Sequence, residues 1–161
     1  ASTPVSDVWA EEAMRFLGVH LMNLRGHLPY AVREDLMYAS TLAGIVISQA
    51  GTTLVHGMGY PLTYYKGLSH GRANGLLLPQ YMKLMEESMA DKAERVWEIL
   101  GFSDAEDFGA FMKDLMPDAV ELSAEDVAKF TAMTMKTNSV KATAYDVTAG
   151  VVSDIYQAIR R

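Results

Sequence analysis

Apolar residues recur at helical spacing along almost the whole chain. Over residues 5–24 they form one stripe, and Thr3 and Pro4 have the residue types of a helix cap and a first turn. The segment 26–29, which contains Gly and Pro, is predicted to end this first helix. No strand-like alternation is sustained anywhere in the sequence, so the pattern predicts an all-α fold.

A second helix is predicted over residues 30–49, and its continuation as far as Val55 stays open. Its middle, residues 36–50, is apolar on nearly every side, which is typical of a buried central helix. A stripe of small residues at four-residue spacing, which would let a neighbouring helix approach closely, consists of Ser40, Gly44 and Ser48.

The second helix is predicted to end at a cluster of helix breakers, namely Gly57, Gly59 and Pro61. A third helix is predicted to begin at Ser69–His70 after a short connection. Helical spacing continues to the C-terminus, and it predicts further helices over 88–100, 104–116, 123–136 and 143–160.

Composition and charge narrow the class of protein. With 161 residues, half of them hydrophobic, the chain can bury a core as one helical domain over residues 1–161. A net charge of −6 without a basic cluster argues against nucleic acid and anionic membranes as partners. The apolar runs are far shorter than the roughly 20 residues of a membrane span. Without cysteine or a secretion signal, the sequence predicts a soluble, cytoplasmic protein.

Two histidines carry the most informative chemistry. His56 is predicted to end the second helix and His70 to open the third, so a hairpin between them could aim both rings at one point. Neutral imidazole is the commonest protein ligand for transition metals. The fourteen-residue spacing matches no short metal motif, however, and histidines near helix ends are often capping or partly buried polar residues. Both interpretations stay open on the spacing alone.

The sequence around these histidines resembles a known family. The strings ASTLAG (39–44), VHGMGYPL (55–62) and HGRANGLLLP (70–79) resemble the iron-dependent (group III) alcohol dehydrogenases. The resemblance is densest over residues 34–82. It implies an all-α helical bundle of the dehydroquinate synthase-like type, which forms the C-terminal domain of that family.

The resemblance also implies a metal site that is divided along the family's chain. In that family an N-terminal Rossmann-like domain holds NAD or NADP, and the helical domain supplies most of the metal site, whose ligands are one Asp and three His. His56 and His70 match the last two histidines. The other two ligands are an Asp and a His four residues later. In this chain the residues four positions before the histidines are Phe16, Asn23, Thr52 and Lys66. None of them is Asp, so this pair of ligands is not found here.

The chain is therefore expected to be the C-terminal, metal-binding domain of such an enzyme, without the nucleotide-binding domain and two of the ligands. The metal implied is iron, with zinc as the second choice, and the substrate is a small alcohol or aldehyde. Two imidazoles without a carboxylate predict weak metal binding and no dehydrogenase activity by this chain alone. Two alternatives remain: a non-catalytic helical module used for association, and the equivalent domain of a related polyol dehydrogenase.

Three tyrosines complete the candidate site. Many family members have a further histidine where Tyr60 stands, so Tyr60 is a candidate hydrogen-bond or proton donor, although a pocket-lining role is equally open. Tyr64 and Tyr65 are predicted to lie in the connection between the ligands, where they either line the substrate pocket or cover an edge of the core. Apolar residues around 62–68 are predicted to be uncovered and to favour a homo-oligomer.

The other two histidines are not predicted to be ligands. His20 lies on the apolar stripe of the first helix and is interpreted as a hydrogen-bonded boundary residue. His27 precedes Pro29 in a turn and is interpreted as a solvated loop residue. No glycine-rich phosphate loop follows a strand, so the sequence predicts no dinucleotide-binding fold within this chain.

Overall fold

A computed structural model of the protein describes residues 2–117 and 120–160. These residues form α1 (Pro4–His20), a 3₁₀ turn (Leu21–Asn23), α2 (Tyr30–Ala50), α3 (Leu54–Lys66), α4 (His70–Ser88), α5 (Ala90–Leu100), α6 (Ala105–Leu115), α7 (Ala124–Thr134), α8 (Asn138–Lys141) and α9 (Ala149–Ala158). Within them, β pairing is limited to one isolated parallel bridge between Val120 and Arg160. The all-α prediction is confirmed.

The first helix begins as its sequence predicts. The Thr3 hydroxyl accepts a hydrogen bond from the Ser6 amide at 3.2 Å, and the Ser6 hydroxyl accepts one from the Thr3 amide at 2.8 Å. This reciprocal capping box satisfies two backbone donors at the start of α1. The α-helix ends at His20, four residues before the predicted end, because the chain tightens into the 3₁₀ turn.

The second helix is not the buried centre of the fold, and that prediction was wrong. Only Ala39 and Leu42 of α2 are buried, while Met37 is 69% exposed. Its main packing partner is α1. The predicted close approach along the small-residue stripe is also absent, because a Cβ added to Gly44 would meet no atom within 4 Å. A helix whose middle is apolar on nearly every side can therefore lie at the edge of the described structure.

The segment predicted to be a connection is helical. Residues 54–66 form α3, with Gly57, Gly59 and Pro61 inside it, and α2 ends at Ala50 without continuing to Val55. The helix ends instead at Gly67, whose φ of 67° is a left-handed conformation that glycine adopts without steric cost. A three-residue connection then leads into α4, which begins at His70 as predicted.

The last predicted helix, 143–160, is shorter in the structure, where α9 covers only Ala149–Ala158. The residues before it, Thr143 included, form an irregular segment that follows α8. The Thr143 hydroxyl donates to the Ser139 carbonyl oxygen at 2.9 Å and accepts from the Leu54 amide at 3.0 Å. Because Thr143 caps another helix, this segment wraps around the start of α3 instead of continuing as one helix.

Two clusters of buried side chains hold the fold together. The larger cluster surrounds α3 and draws on α4, α7 and α9, with Phe130 and Tyr156 fully buried. The smaller one lies between α4, α5 and α6 around Trp97 and Phe108. Helix α4 contributes buried residues to both, and its Leu78 and Tyr81 are packed against both clusters. The centre of the described fold is therefore α4.

None of the described helices is long and apolar enough to cross a membrane.

An ion pair joins the end of α3 to the start of α7. The Lys66 ammonium donates to Asp126 at 2.8 Å, and Asp126 also accepts from the amide and hydroxyl of Ser123. These contacts lower the pKa of Asp126 to about 2, and the hydrogen bond from Lys66 has the largest effect. The carboxylate is therefore stabilised in the folded protein relative to the unfolded chain.

This depressed pKa predicts a specific loss of stability in acid. The contribution of Asp126 should be complete above the ordinary aspartate pKa of about 4 and should vanish as the pH falls towards 2. We expect the stability difference between wild type and Asp126→Asn to be constant at pH 5–7 and to shrink below pH 4. Urea unfolding of both proteins at a series of pH values measures this difference. A difference that stays the same down to pH 2 would contradict this explanation.

Candidate metal centre

The structure brings His56 and His70 together. The centroids of the two rings lie 4.9 Å apart, with 58° between the ring planes. His56 is partly buried in the first turn of α3, so its predicted position at the end of the second helix is wrong. His70 is exposed at the first position of α4. Both rings therefore lie at helix N-termini.

Glycines at two positions of α3 allow close contact with its neighbours. An ideal Cβ on Gly57 would lie 2.8 Å from Oγ1 of Thr137, and one on Gly59 would lie 2.0 Å from Oδ1 of Asn74. Any larger side chain would force these neighbours apart. The two glycines are therefore packing positions, whereas the sequence pattern indicated helix termination.

The backbone of α3 is also fixed from the C-terminal part of the chain. The Tyr156 hydroxyl donates to the Met58 carbonyl oxygen at 2.7 Å and forms a second hydrogen bond with the Thr134 hydroxyl at 3.0 Å. Burial raises the pKa of Tyr156 above its usual range, so the phenol stays protonated and can donate. Together with the cap from Thr143, these bonds hold the turn of α3 that carries His56.

Burial and charge favour the neutral form of His56. Desolvation is the larger cause that lowers the pKa of its imidazole, and electrostatic repulsion between the protonated forms of His56 and His70 lowers it further. The neutral ring is the form that binds a metal ion, because its lone pair is free. Near neutral pH, His56 is therefore in the protonation state required of a ligand.

The separation of the rings fits a shared metal ion. With metal–nitrogen bonds of about 2.1 Å, the ion would lie about 3.2 Å from each ring centre, and bond angles of 90–109° would separate the centres by about 4.5–5.2 Å. The observed 4.9 Å lies within that interval. No cluster of three or more His, Asp or Glu side chains that could hold a metal occurs in the described ranges. The pair thus fits part of a metal site.

Of the three candidate tyrosines, Tyr60 lies at the histidine pair. Its ring stacks on that of His70, with 5.8 Å between the centroids and 17° between the planes, and it is half exposed. Tyr64 and Tyr65 lie on α3, and not in a connection as predicted. Tyr64 is 81% exposed, whereas the Tyr65 ring packs against Phe130 of α7 at 5.5 Å.

The predicted uncovered surface over residues 62–68 is only partly present. Leu62 is fully buried and Leu68 is partly buried, so the exposed aromatic surface there comes from Tyr64 and Tyr65. The exposed large apolar side chains of the first two helices are Val5, Val8, Trp9, Val19, Tyr30, Met37, Tyr38 and Ile47. The sequence pattern missed this second surface because it predicted α2 to be buried.

Asn74 is a polar neighbour of the pair that the sequence analysis did not single out. Its Nδ2 lies 3.1 Å from Nε2 of His70, while its Oδ1 is buried without a hydrogen-bond partner. The signal was available, since residues four apart on a helix share a face and can interact.

The remaining histidines behave as predicted. Nε2 of His20 lies 2.8 Å from an oxygen of Asp35, which joins α1 to α2 at the edge of the core. His27 is exposed in the connection between these helices.

Comparison with known proteins identifies the family. The sequence profile described as "Fe-containing alcohol dehydrogenase family, C-terminal" matches residues 1–158. The crystal structure of an iron-containing alcohol dehydrogenase from Thermotoga maritima superposes with a TM-score of 0.86 at 36% identity, and the match covers 98% of this chain and 43% of that one.

Curated relatives agree with this result. The mitochondrial hydroxyacid-oxoacid transhydrogenase of Bos taurus is 31% identical over 114 residues, which is 62% of this chain and 24% of the relative. The 1,3-propanediol dehydrogenase of Klebsiella pneumoniae is 31% identical over 103 residues, or 62% of this chain and 26% of the relative. The chain thus spans about a quarter of the length of these relatives. It belongs to the Fe-containing alcohol dehydrogenase family and corresponds to the C-terminal part of that family's proteins.

Proposed function

We propose that this chain is the metal-binding domain of an iron-type alcohol dehydrogenase, with His56 and His70 as two of the metal ligands. The observation that carries the proposal is the 4.9 Å separation of the two ring centroids. The metal would polarise the oxygen of an alcohol or aldehyde while NAD or NADP accepts or donates hydride.

The residues of this chain have distinct proposed roles. His56, neutral and half-buried, supplies a preformed ligand on a turn fixed by the core. His70 supplies the second nitrogen from the exposed start of α4. Tyr60, stacked on His70, is proposed to donate a hydrogen bond or a proton at the substrate oxygen. Tyr64 and Tyr65 are retained as pocket residues, with Tyr64 the more accessible of the two.

Iron is the proposed metal because it is the metal that the family's name specifies, and zinc remains the second choice. The substrate class is a small alcohol or aldehyde, and a polyol is included because one relative is a 1,3-propanediol dehydrogenase. We also propose that residues 1–161 act as one helical domain beside a nucleotide-binding domain. A cytoplasmic location stays a prediction, and the bovine relative is described as mitochondrial.

The alternative of a non-catalytic association module is favoured by the exposed apolar side chains of α1 and α2. It predicts that the imidazoles diverge and bind separate carbonyl groups. The contact between the two rings favours the metal site instead. Self-association through exposed apolar surface stays a prediction that is compatible with either function.

Metal titration tests the proposed site. We expect the metal-free chain to bind Zn(II) and Fe(II) weakly by calorimetry, because only two protein ligands are available. The His56→Ala/His70→Ala double variant should abolish this binding. His27→Ala is the matched control, since it removes an exposed histidine far from the pair in sequence. Binding that persists in the double variant, or that His27→Ala removes, would contradict the assignment.

A further inference from the structure

Asn74 contacts both helices that carry the histidines. It lies one turn after His70 on α4, and its Nδ2 is 3.1 Å from Nε2 of His70. Its Oδ1 lies against Gly59 of α3, where an ideal Cβ would be only 2.0 Å away. The amide therefore occupies a volume that exists because residue 59 has no side chain.

The amide of Asn74 lies with its NH₂ group, which is a donor only, towards His70 and with its carbonyl oxygen against the Cα of Gly59. The carbonyl oxygen can lie there, since a Cα–H group is a weak donor. Nδ2 consequently faces His70, where it donates to Nε2. An accepting Nε2 carries no proton, so the neutral ring holds its proton on Nδ1.

A neutral imidazole has one lone pair available for a hydrogen bond or for a metal. In this tautomer, the lone pair on Nε2 is the one that Asn74 occupies. The same nitrogen cannot accept the amide proton and bind a metal ion at the same time. Asn74 therefore keeps Nε2 of His70 free of a proton, as a metal ion requires, and its amide also competes with the metal ion for that nitrogen.

We infer that Asn74 is a positioning residue that holds His70 in its Nδ1–H tautomer and occupies Nε2 until a metal ion replaces it. Gly59 is part of this arrangement, because its missing side chain makes room for the amide. The competition with metal rests on the proposed function of His70 as a ligand. The choice of tautomer does not.

The tautomer can be measured without any metal. In the ¹⁵N-labelled, metal-free chain at a pH where the ring is neutral, long-range ¹H–¹⁵N correlation spectra should show Nε2 of His70 as an unprotonated nitrogen. Asn74→Ala and Gly59→Ala should both shift His70 towards a mixture of tautomers, the first by removing the amide and the second by displacing it. Gly71→Ala, on the same turn of α4 with no atom within 4 Å of an added Cβ, is the control.

Zn(II) calorimetry on the same variants tests the competition. Asn74→Ala should bind Zn(II) about three- to tenfold more tightly than wild type, because one hydrogen bond no longer has to be broken. Gly71→Ala should bind as wild type does. Unchanged or weaker binding by Asn74→Ala would overturn the competition, and a proton on Nε2 in the wild type would overturn the whole inference.

The two measurements separate the failure of this inference from that of the proposed function. If Zn(II) does not bind to the wild type but the tautomer of His70 depends on Asn74, the metal site is wrong and the positioning role stands. If Zn(II) binds through the histidines but Asn74→Ala leaves the tautomer unchanged, the metal site stands and the role of Asn74 is wrong.

Discussion

Phe130→Ala is expected to lower the free energy of unfolding by about 3–5 kcal/mol, the usual cost of removing a fully buried aromatic ring. Phe130 on α7 is 0% exposed, stacks on Tyr65 at 5.5 Å and meets the edge of Tyr156 at 5.9 Å. Removing it leaves a cavity between α3, α7 and α9. Urea unfolding followed by circular dichroism measures the loss.

The same substitution should also make the position of His56 less well fixed. Phe130 packs against Tyr65, and Tyr65 belongs to the helix that carries His56. We expect the folded variant to bind Zn(II) less tightly than wild type does. Tyr64→Ala is the matched control: its ring is 81% exposed, so stability should change by no more than about 0.5 kcal/mol. Equal losses of stability in the two variants would show that the packing around Phe130 is described wrongly.

Trp97→Ala is expected to have a comparable effect on stability, about 3–5 kcal/mol. Trp97 is 5% exposed, its ring centroid lies 5.7 Å from that of Phe108, and its indole N–H donates to Glu86 at 2.6 Å. The same Glu86 oxygen accepts the Ala105 amide at 2.7 Å, so the indole helps to hold a carboxylate that caps α6. Urea unfolding measures the loss, with the partly exposed Trp9→Ala as a milder control.

Trp97 belongs to the smaller cluster, away from α3. In conditions where the variant is folded, its affinity for Zn(II) should therefore match that of wild type, unlike that of Phe130→Ala. Leu78 and Tyr81 are packed against both clusters, so both variants should still unfold in one transition. Two separate transitions would mean that the clusters are independent folding units.

The sequence pattern was sufficient for the fold class, the family and the histidine pair. It correctly placed the start of α4 at Ser69–His70, although the helix before it ends at Gly67 and not at the predicted breakers. The motif around His56 and His70 correctly predicted that distant positions meet. Such features depend on local chemistry and on residues that can be recognised individually.

Other features depend on neighbours that a single sequence does not identify. Gly57 and Gly59 have the pattern of helix terminators, and their role as contact positions follows only when Thr137 and Asn74 are seen against them. The exposure of α2 could not be deduced because apolar residues on all sides indicate burial without identifying the packing partner. The cap from Thr143 joins residues that are 89 positions apart.

That long separation affects when the site can form. The amide of Leu54 requires Thr143, and the carbonyl of Met58 requires Tyr156, which is 98 positions away. Contacts between such distant positions close large loops and form late in folding. During synthesis, the cluster around Trp97 can assemble as soon as α6 has emerged, whereas the turn that carries His56 is fixed only once α9 is complete. Completion of the C-terminal third of the chain thus controls when the two proposed metal ligands are in place.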